Sequence, residues 1–428
     1  MNVELVNTGS ELMLGRVLNT HQQWLCRRLA DLGYVVTRQV AVADTGQDIE
    51  QAVREALSRA DLVITTGGLG PTSDDITRDL IAQLLGKKLH QDADIVQHIE
   101  KFFAARKRPM PASTLVQAQV PEGAIVLPNP NGTAPGLAME VAHASFLSTL
   151  NPQPSTSPKW LVMLPGPPRE LRPMFNAAVV PLLHRELPLA GQFICRTLRT
   201  VGIGESQAAD RIGGLLQPLV AQGLELGYCA HIGAVDVRLA GQGPHATQLV
   251  NEAETIVRAQ LSKHIFGEDD ETLESVLVRL LTERKQTLAL AESCTGGGLA
   301  HRITNVPGAS AVLLASLVTY ANEAKQKFVG VQAASLAAHG AVSETVAREM
   351  AAGARRATGA DYALSATGIA GPGGGSDAKP VGTVFIGFAS ATENFALQQF
   401  NPFDRETFKQ VTTTQALEIL RRKILGLD

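Results

Sequence analysis

Aromatic residues are scarce in this chain, with 2 Trp, 4 Tyr and 13 Phe among 428 residues. Cysteine is scarcer: Cys26, Cys195, Cys229 and Cys294 stand far apart, with no C-x-x-C pair and no nearby histidine spacing. That excludes a zinc-finger arrangement and a disulfide framework. Excess positive charge is also missing. A net charge of −3 offers no general basic field for DNA, RNA or an anionic membrane. Local phosphate sites stay open, because backbone amides at helix N-termini bind anions without net positive charge. No apolar run reaches the roughly 18 residues a membrane span needs. The opening MNVELVNTGSEL reads as a strand and turn rather than a signal peptide. The expectation is a cytoplasmic protein with no membrane and no nucleic-acid partner.

What is present suits folded domains. Apolar residues make up 45% of the chain and charged residues 18%, and the length points to two or three domains. Alanine and glycine are abundant, as in helices packed closely on sheets, although genomic composition gives the same excess.

Residues 1–86 alternate strand and helix. A β-like run, Val3 to Thr8, leads through Gly9-Ser10-Glu11 to a helix over His21 to Leu32, and Gly33 sits where a C-cap belongs. Strand Tyr34 to Val42, helix Asp48 to Ala60, strand Leu62 to Thr66 and a helix from Asp75 to Leu85 follow. This order implies βαβ units and a parallel sheet. Ala142 to Lys159 is rich in Ser, Pro and Thr and reads as a surface loop before strand Trp160 to Leu164. From Phe193 to Phe266 a small α+β unit is expected, then an acidic hinge at Glu268 to Glu271 and a second α/β domain.

In that last domain, strand Thr287 to Ala291 delivers Glu292-Ser293-Cys294-Thr295-Gly296-Gly297-Gly298 into a helix starting near Leu299. A serine there would gain from the helix N-terminus and from free amides able to form an oxyanion hole. Simple helix capping is the commoner role of such a serine. A nucleophile also needs a base. His301 and His339 lack a catalytic setting, whereas Tyr320 and Lys325 supply a hydroxyl and an amine five residues apart. Such a lysine must be neutral part of the time, so its pKa must be lowered. A second glycine-rich segment, Ala366 to Gly375, follows strand Tyr362 to Ser365 and could cradle a phosphate, with Thr367 lining the pocket. Two such strand ends in one α/β domain point to a ligand site.

These segments, with Pro307-Gly308-Ala309-Ser310, Gly340-Ala341-Val342-Ser343 and Lys379-Pro380-Val381-Gly382-Thr383, resemble the CinA C-terminal domain over residues 270–428. The resemblance implies an amidohydrolase that deamidates nicotinamide mononucleotide without a cofactor. It implies Ser293 as nucleophile, Lys325 and Tyr320 as its activators and Thr367 as a further site residue. Glu292, Cys294, Thr295, Gly296, Gly368, Gly371, Arg405 and Lys409 are then expected at the substrate. The family carries two arginines four residues apart in a Gly-Asp-Arg context. Here Phe403 replaces the glycine and Lys409 the second arginine, so either Arg405 or Lys409 would hold the substrate phosphate.

Thr65 to Thr77 is the other rich segment. Its glycines free the backbone after a strand, Asp74 and Asp75 could hold a divalent cation, and both could equally complement a helix dipole. With Gly9-Ser10-Glu11-Leu12, Asp44, Asn131 to Gly136 and Pro165-Gly166-Pro167-Pro168, it resembles the molybdopterin-binding fold in its CinA version. That resemblance implies a three-layer domain with a nucleotide site at Glu11, Asp44, Gly67, Gly68, Asp74, Asp75, Thr77 and Asn131. It further implies a metal-dependent ADP-ribose pyrophosphatase, with Mg, Mn or Co on Asp44 and Asp75. The loop 143–158 is longer than usual for the fold. The middle unit resembles the KH-like connector of CinA proteins but lacks a G-x-x-G loop in a basic setting, which disfavours RNA.

The domains are expected at 1–172, 173–267 and 268–428, in a homodimer. The leading expectation is a salvage enzyme acting on nicotinamide mononucleotide and ADP-ribose. One alternative leaves the N-terminal domain a degenerate scaffold. Another makes it a molybdopterin-binding or competence-related adaptor.

Overall fold

The structure, a computed structural model, describes residues 1–141 and 159–427. The expected surface loop at 142–158 lies outside them, and Lys159 is the first residue of a strand. The chain forms two compact units, Met1–Ile194 and Cys195–Asp428.

The first unit holds strands β1 (Asn2–Thr8), β2 (Val35–Val42), β3 (Leu62–Thr66), β4 (Leu89–Gln91), β5 (Gln119–Pro121), β6 (Ile125–Leu127), β7 (Gly136–Val141) and β8 (Lys159–Leu164). Six of them form one sheet in the order β2-β1-β3-β8-β7-β6, while β4 and β5 make a separate ribbon. The four strands β2, β1, β3 and β8 run parallel, as the alternation implied; β7 and β6 add an antiparallel edge.

Strand β3 shows why the layers form. All five of its residues are buried, and successive side chains point to opposite faces. Leu62 and Ile64 join a cluster with Leu25, Leu29, Leu171 and Phe175. Val63 joins the opposite cluster with Ile49, Val53, Leu57 and Ile81. Helices therefore cover both faces, giving three layers. Each fully buried aliphatic side chain contributes about 1.5–3 kcal/mol.

The helical segments Pro168–Met174 and Val180–Glu186 pack into this same core through Leu171, Met174, Leu182 and Leu183. They belong with the N-terminal fold, so the connector's own elements begin at β9 (Phe193–Val201) rather than at residue 173. The connector continues with β10 (Glu225–His231), β11 (Ala234–Gln242), β12 (Ile265–Glu268) and two helices, Glu205–Val220 and Ala246–Leu261. Its sheet order is β10-β11-β9-β12.

The C-terminal domain has strands β13 (Leu288–Glu292), β14 (Leu313–Val318), β15 (Tyr362–Gly368), β16 (Thr383–Ala389) and β17 (Asn394–Phe400), in the order β14-β13-β15-β16-β17. The first three are parallel and the last two antiparallel. Adjacent β13 and β15 end side by side, with Glu292 opposite Ala366. The two glycine-rich segments therefore leave the sheet together.

Small residues here have a structural cause. The helix Glu344–Thr358 lies so close that a Cβ on Gly353 would fall 1.7 Å from the Val329 carbonyl oxygen. Ala289, Ala291, Ala351 and Ala354 share that face.

Candidate active site

Ser293 follows β13 directly and is 9% exposed. Its amide donates to the Ala366 carbonyl at 2.9 Å, which fixes it beside β15. Lys325 lies on the helix Asn322–Val329 and is 1% exposed. Its Nζ is 3.1 Å from Ser293 Oγ, 2.8 Å from the Thr319 carbonyl and 3.1 Å from the Tyr320 carbonyl. Burial lowers its pKa, and among the described residues no carboxylate pairs with it. A neutral amine has two N–H groups and one lone pair. With the N–H groups on the two carbonyls, the lone pair is left facing the Ser293 hydroxyl, where it can accept a proton.

The expected support from a helix N-terminus does not hold. The helix spans Gly298–Thr304 and starts five residues beyond Ser293. Its amides are already occupied: Glu292, fully buried, accepts from Gly297, Leu299 and Ala300 at 3.0, 3.1 and 3.0 Å. The same carboxylate takes the Thr295 hydroxyl at 2.7 Å and the Ser316 hydroxyl at 3.2 Å. Five donors leave no room for a substrate, so Glu292 and Thr295 shape the loop from inside instead of lining it. The Cys294 and Thr295 amides are turned to the Cys294 sulfur.

Cys294 points into the hydrophobic core with Leu290, Leu299 and Ile303, and burial pushes its thiol up to about 12. A thiol at that value is not a thiolate near neutrality. The structure thus separates Ser293 from its neighbour, which the residue types alone could not do.

Thr367 is buried and donates to the Ala341 carbonyl at 2.8 Å. Gly368 is a packing glycine, since a Cβ there would lie 2.8 Å from Val384 Cβ. Tyr320 is 62% exposed. Its backbone carbonyl, not its hydroxyl, meets Lys325; the hydroxyl accepts from Arg405 Nη2 at 3.1 Å. Arg405 Nη1 donates to the Gly371 carbonyl at 2.9 Å.

Arg405 and Lys409, one turn apart on the helix Arg405–Leu425, line a cavity of about 460 Å³ with Gly298, His301, Arg302 and Thr413. Arg302 is held by Glu274 at 2.8 Å and Thr414 at 2.8 Å. Lys409 has no hydrogen-bond or ion-pair partner among the described residues, and its Nζ would lie 3.7 Å from a Cβ on Gly296.

In the N-terminal unit, Glu11, Asp44, Gly67, Gly68, Asp74 and Asp75 line one pocket of about 390 Å³. Thr77 and Asn131 do not. Thr77 is fully buried beneath Gly68, and the Asn131 amide donates to Asn129. Asp75 precedes the helix Thr77–Leu84, contrary to the expected helix start, and its Oδ2 accepts from the Thr72 amide and hydroxyl. Asp44 Oδ2 accepts from the Ser10 amide at 2.7 Å. Hydrogen bonding to Thr72 lowers the Asp74 carboxyl. Among the described residues no group of three His, Cys, Asp or Glu stands ready for a metal. Five carboxylates line this pocket, those of Glu11, Asp44, Asp74, Asp75 and Glu170, a hard-oxygen donor set that would suit a Mg-type ion completed by substrate phosphates.

The sequence reading missed the Thr319 carbonyl, which no side-chain motif betrays. It also missed Arg302, and Glu170 at the N-terminal pocket. Glu170 closes Pro-Gly-Pro-Pro-Arg-Glu, and its Oε2 accepts from buried Asn129 at 2.9 Å.

Three family models match the chain in order: "Probable molybdopterin binding domain" over residues 4–185, "Damage-inducible protein CinA KH domain" over 195–267 and "CinA C-terminal domain" over 270–424. A CinA-like protein of Akkermansia muciniphila is 41% identical, covering 97% of this chain and 96% of its own. A CinA-like protein of Gemmatimonas aurantiaca is 39% identical, covering 99% of this chain and 96% of its own. The solved competence/damage inducible protein CihA of Agrobacterium tumefaciens is 38% identical, covers 35% of this chain and 92% of its own, and has a TM-score of 0.34. The chain belongs to the CinA family, with a molybdopterin-binding-like domain, a KH-like connector and a CinA C-terminal domain.

Proposed function

We propose that the C-terminal domain hydrolyses the carboxamide of nicotinamide mononucleotide to the carboxylate, releasing ammonia. The observation that carries this reading is the 3.1 Å approach of buried Lys325 Nζ to Ser293 Oγ. Neutral Lys325 takes the Ser293 proton as Oγ attacks the amide carbon. The resulting oxyanion is met by hydrogen-bond donors of the loops that leave β13 and β15. Lys325 returns the proton to the departing nitrogen, and ammonia leaves an ester on Ser293. Water then attacks that ester with Lys325 again as base, freeing the carboxylate. Lys409 supplies a point charge for the substrate phosphate. None of these steps uses a metal.

The test is ammonia release from nicotinamide mononucleotide in the presence of a chelator. Wild type should release it and S293A should not.

For the N-terminal pocket we propose a metal-dependent cleavage of ADP-ribose to AMP and ribose phosphate. Asp44 and Asp75, lining the same pocket, support this reading. Loss of AMP formation in D75A, with divalent metal present, is the expected result. Absence of AMP from wild type with any of Mg, Mn or Co would leave that domain an adaptor or scaffold.

A further inference from the structure

Arg405 was expected among the phosphate ligands, yet each of its terminal nitrogens donates to a loop of the site itself. Nη1 donates to the Gly371 carbonyl at 2.9 Å and Nη2 to the Tyr320 hydroxyl at 3.1 Å. These partners belong to the two loops that flank the Ser293 site: Gly371 follows β15, and Tyr320 lies between β14 and the helix carrying Lys325. Arg405 itself is held at the first turn of its helix, where Asp404 accepts from the Glu406 and Thr407 amides, each at 3.0 Å.

We propose that Arg405 is a positioning residue for the hydrolysis, acting through Tyr320 on Lys325, and that it does not hold the substrate phosphate. The proposal rests on the deamidase reading of Ser293 and Lys325. The Tyr320 carbonyl is one of the two acceptors that orient the Lys325 amine. The Tyr320 ring is largely exposed, and its hydroxyl has no other partner among the described residues. Without Arg405 the ring is untethered, the carbonyl is free to turn, and the lone pair of Lys325 drifts from Ser293 Oγ. Misplacement of about 1 Å in a reacting group costs on the order of a hundredfold in rate. A planar guanidinium suits this bridge, because its fixed fork reaches two acceptors at once, which a lysine does not.

The experiment compares nicotinamide mononucleotide with nicotinamide riboside, the same amide without phosphate. A positioning role predicts that R405A lowers kcat on both substrates by the same factor, about ten- to a hundredfold, with KM for the nucleotide little changed. Y320F should reproduce that loss, and the double variant should be no worse than R405A alone. K409A, in contrast, should raise KM for the nucleotide only. A loss in R405A confined to the nucleotide, seen as a raised KM, would overturn the proposal and make Arg405 a phosphate ligand. If wild type releases ammonia from neither substrate, the deamidase reading fails by itself. Hydrogen exchange over residues 319–325 then decides the clamp: faster exchange in R405A than in wild type supports it, and unchanged exchange overturns it.

Discussion

Lys325 Nζ and Ser293 Oγ stand 3.1 Å apart in a site where the lysine is 1% exposed and its other two contacts are backbone carbonyls. An ammonium at this point gains no carboxylate partner and loses its hydration, which is why burial pulls its pKa down. The neutral form is the useful one. Deamidation should therefore rise with pH, levelling below the ordinary lysine value of about 10.4. A kcat–pH profile between about 6 and 10 checks this, and a rate that falls as pH rises would exclude Lys325 as base. K325R, cationic throughout that range, should be inactive.

The same shift has a consequence for stability. The folded pKa of Lys325 is depressed, so between it and the unfolded value the unfolded chain binds the extra proton. Stability should rise with pH across that window. Urea midpoints of wild type should climb toward alkaline pH more steeply than those of K325M, which has nothing to titrate there.

Glu292 gathers five donors in a fully buried setting. E292Q keeps the shape but turns an acceptor into an NH₂ group that faces donors. A destabilisation of about 3 kcal/mol is expected, since a buried network is left with unmatched polar groups. Denaturant unfolding measures it, and activity should fall with it because the turn carrying Ser293 loses its internal support. A change below about 0.5 kcal/mol would mean that the five contacts do not organise the loop.

Cys294 is the control for the choice of nucleophile. Its thiol is buried and pushed up to about 12, whereas Cys229 is exposed. In the native protein a thiol reagent should modify Cys229 and leave Cys294 intact. C294A should retain activity within about threefold while losing roughly 1 kcal/mol of packing.

Gly353 has no room for a methyl group, with the Val329 carbonyl 1.7 Å from the position of a Cβ. G353A should force the helix Glu344–Thr358 away from the end of the helix Asn322–Val329 and cost more than about 3 kcal/mol. Thermal unfolding reads the loss directly.

Much of the fold was legible because its signals are local. Buried β3 and its glycine exit, and the neighbouring helices, follow from apolar runs and turn residues. That Ser293 and Lys325 meet was suggested by the lack of a suitable histidine and by family resemblance. Other features were hidden because they depend on how side chains turn in space. Glu292 looked like a ligand because it is charged and adjoins the nucleophile; only three dimensions show its carboxylate folded back under the loop. Tyr320 looked like a base because its ring is polar, but its carbonyl does the work near Lys325 while its hydroxyl faces Arg405. The separation of Arg405 from Lys409 was equally out of reach, because sequence spacing puts both on one helix face and says nothing of which cation is already occupied.

The most direct measurement is ammonia released from nicotinamide mononucleotide, with chelator present, by wild type and by S293A at equal concentration. Wild type should release ammonia stoichiometrically with the nicotinate nucleotide, and S293A should be at least about a thousandfold slower. Equal release from both proteins, or none from wild type, would contradict Ser293 as the nucleophile of an amidase.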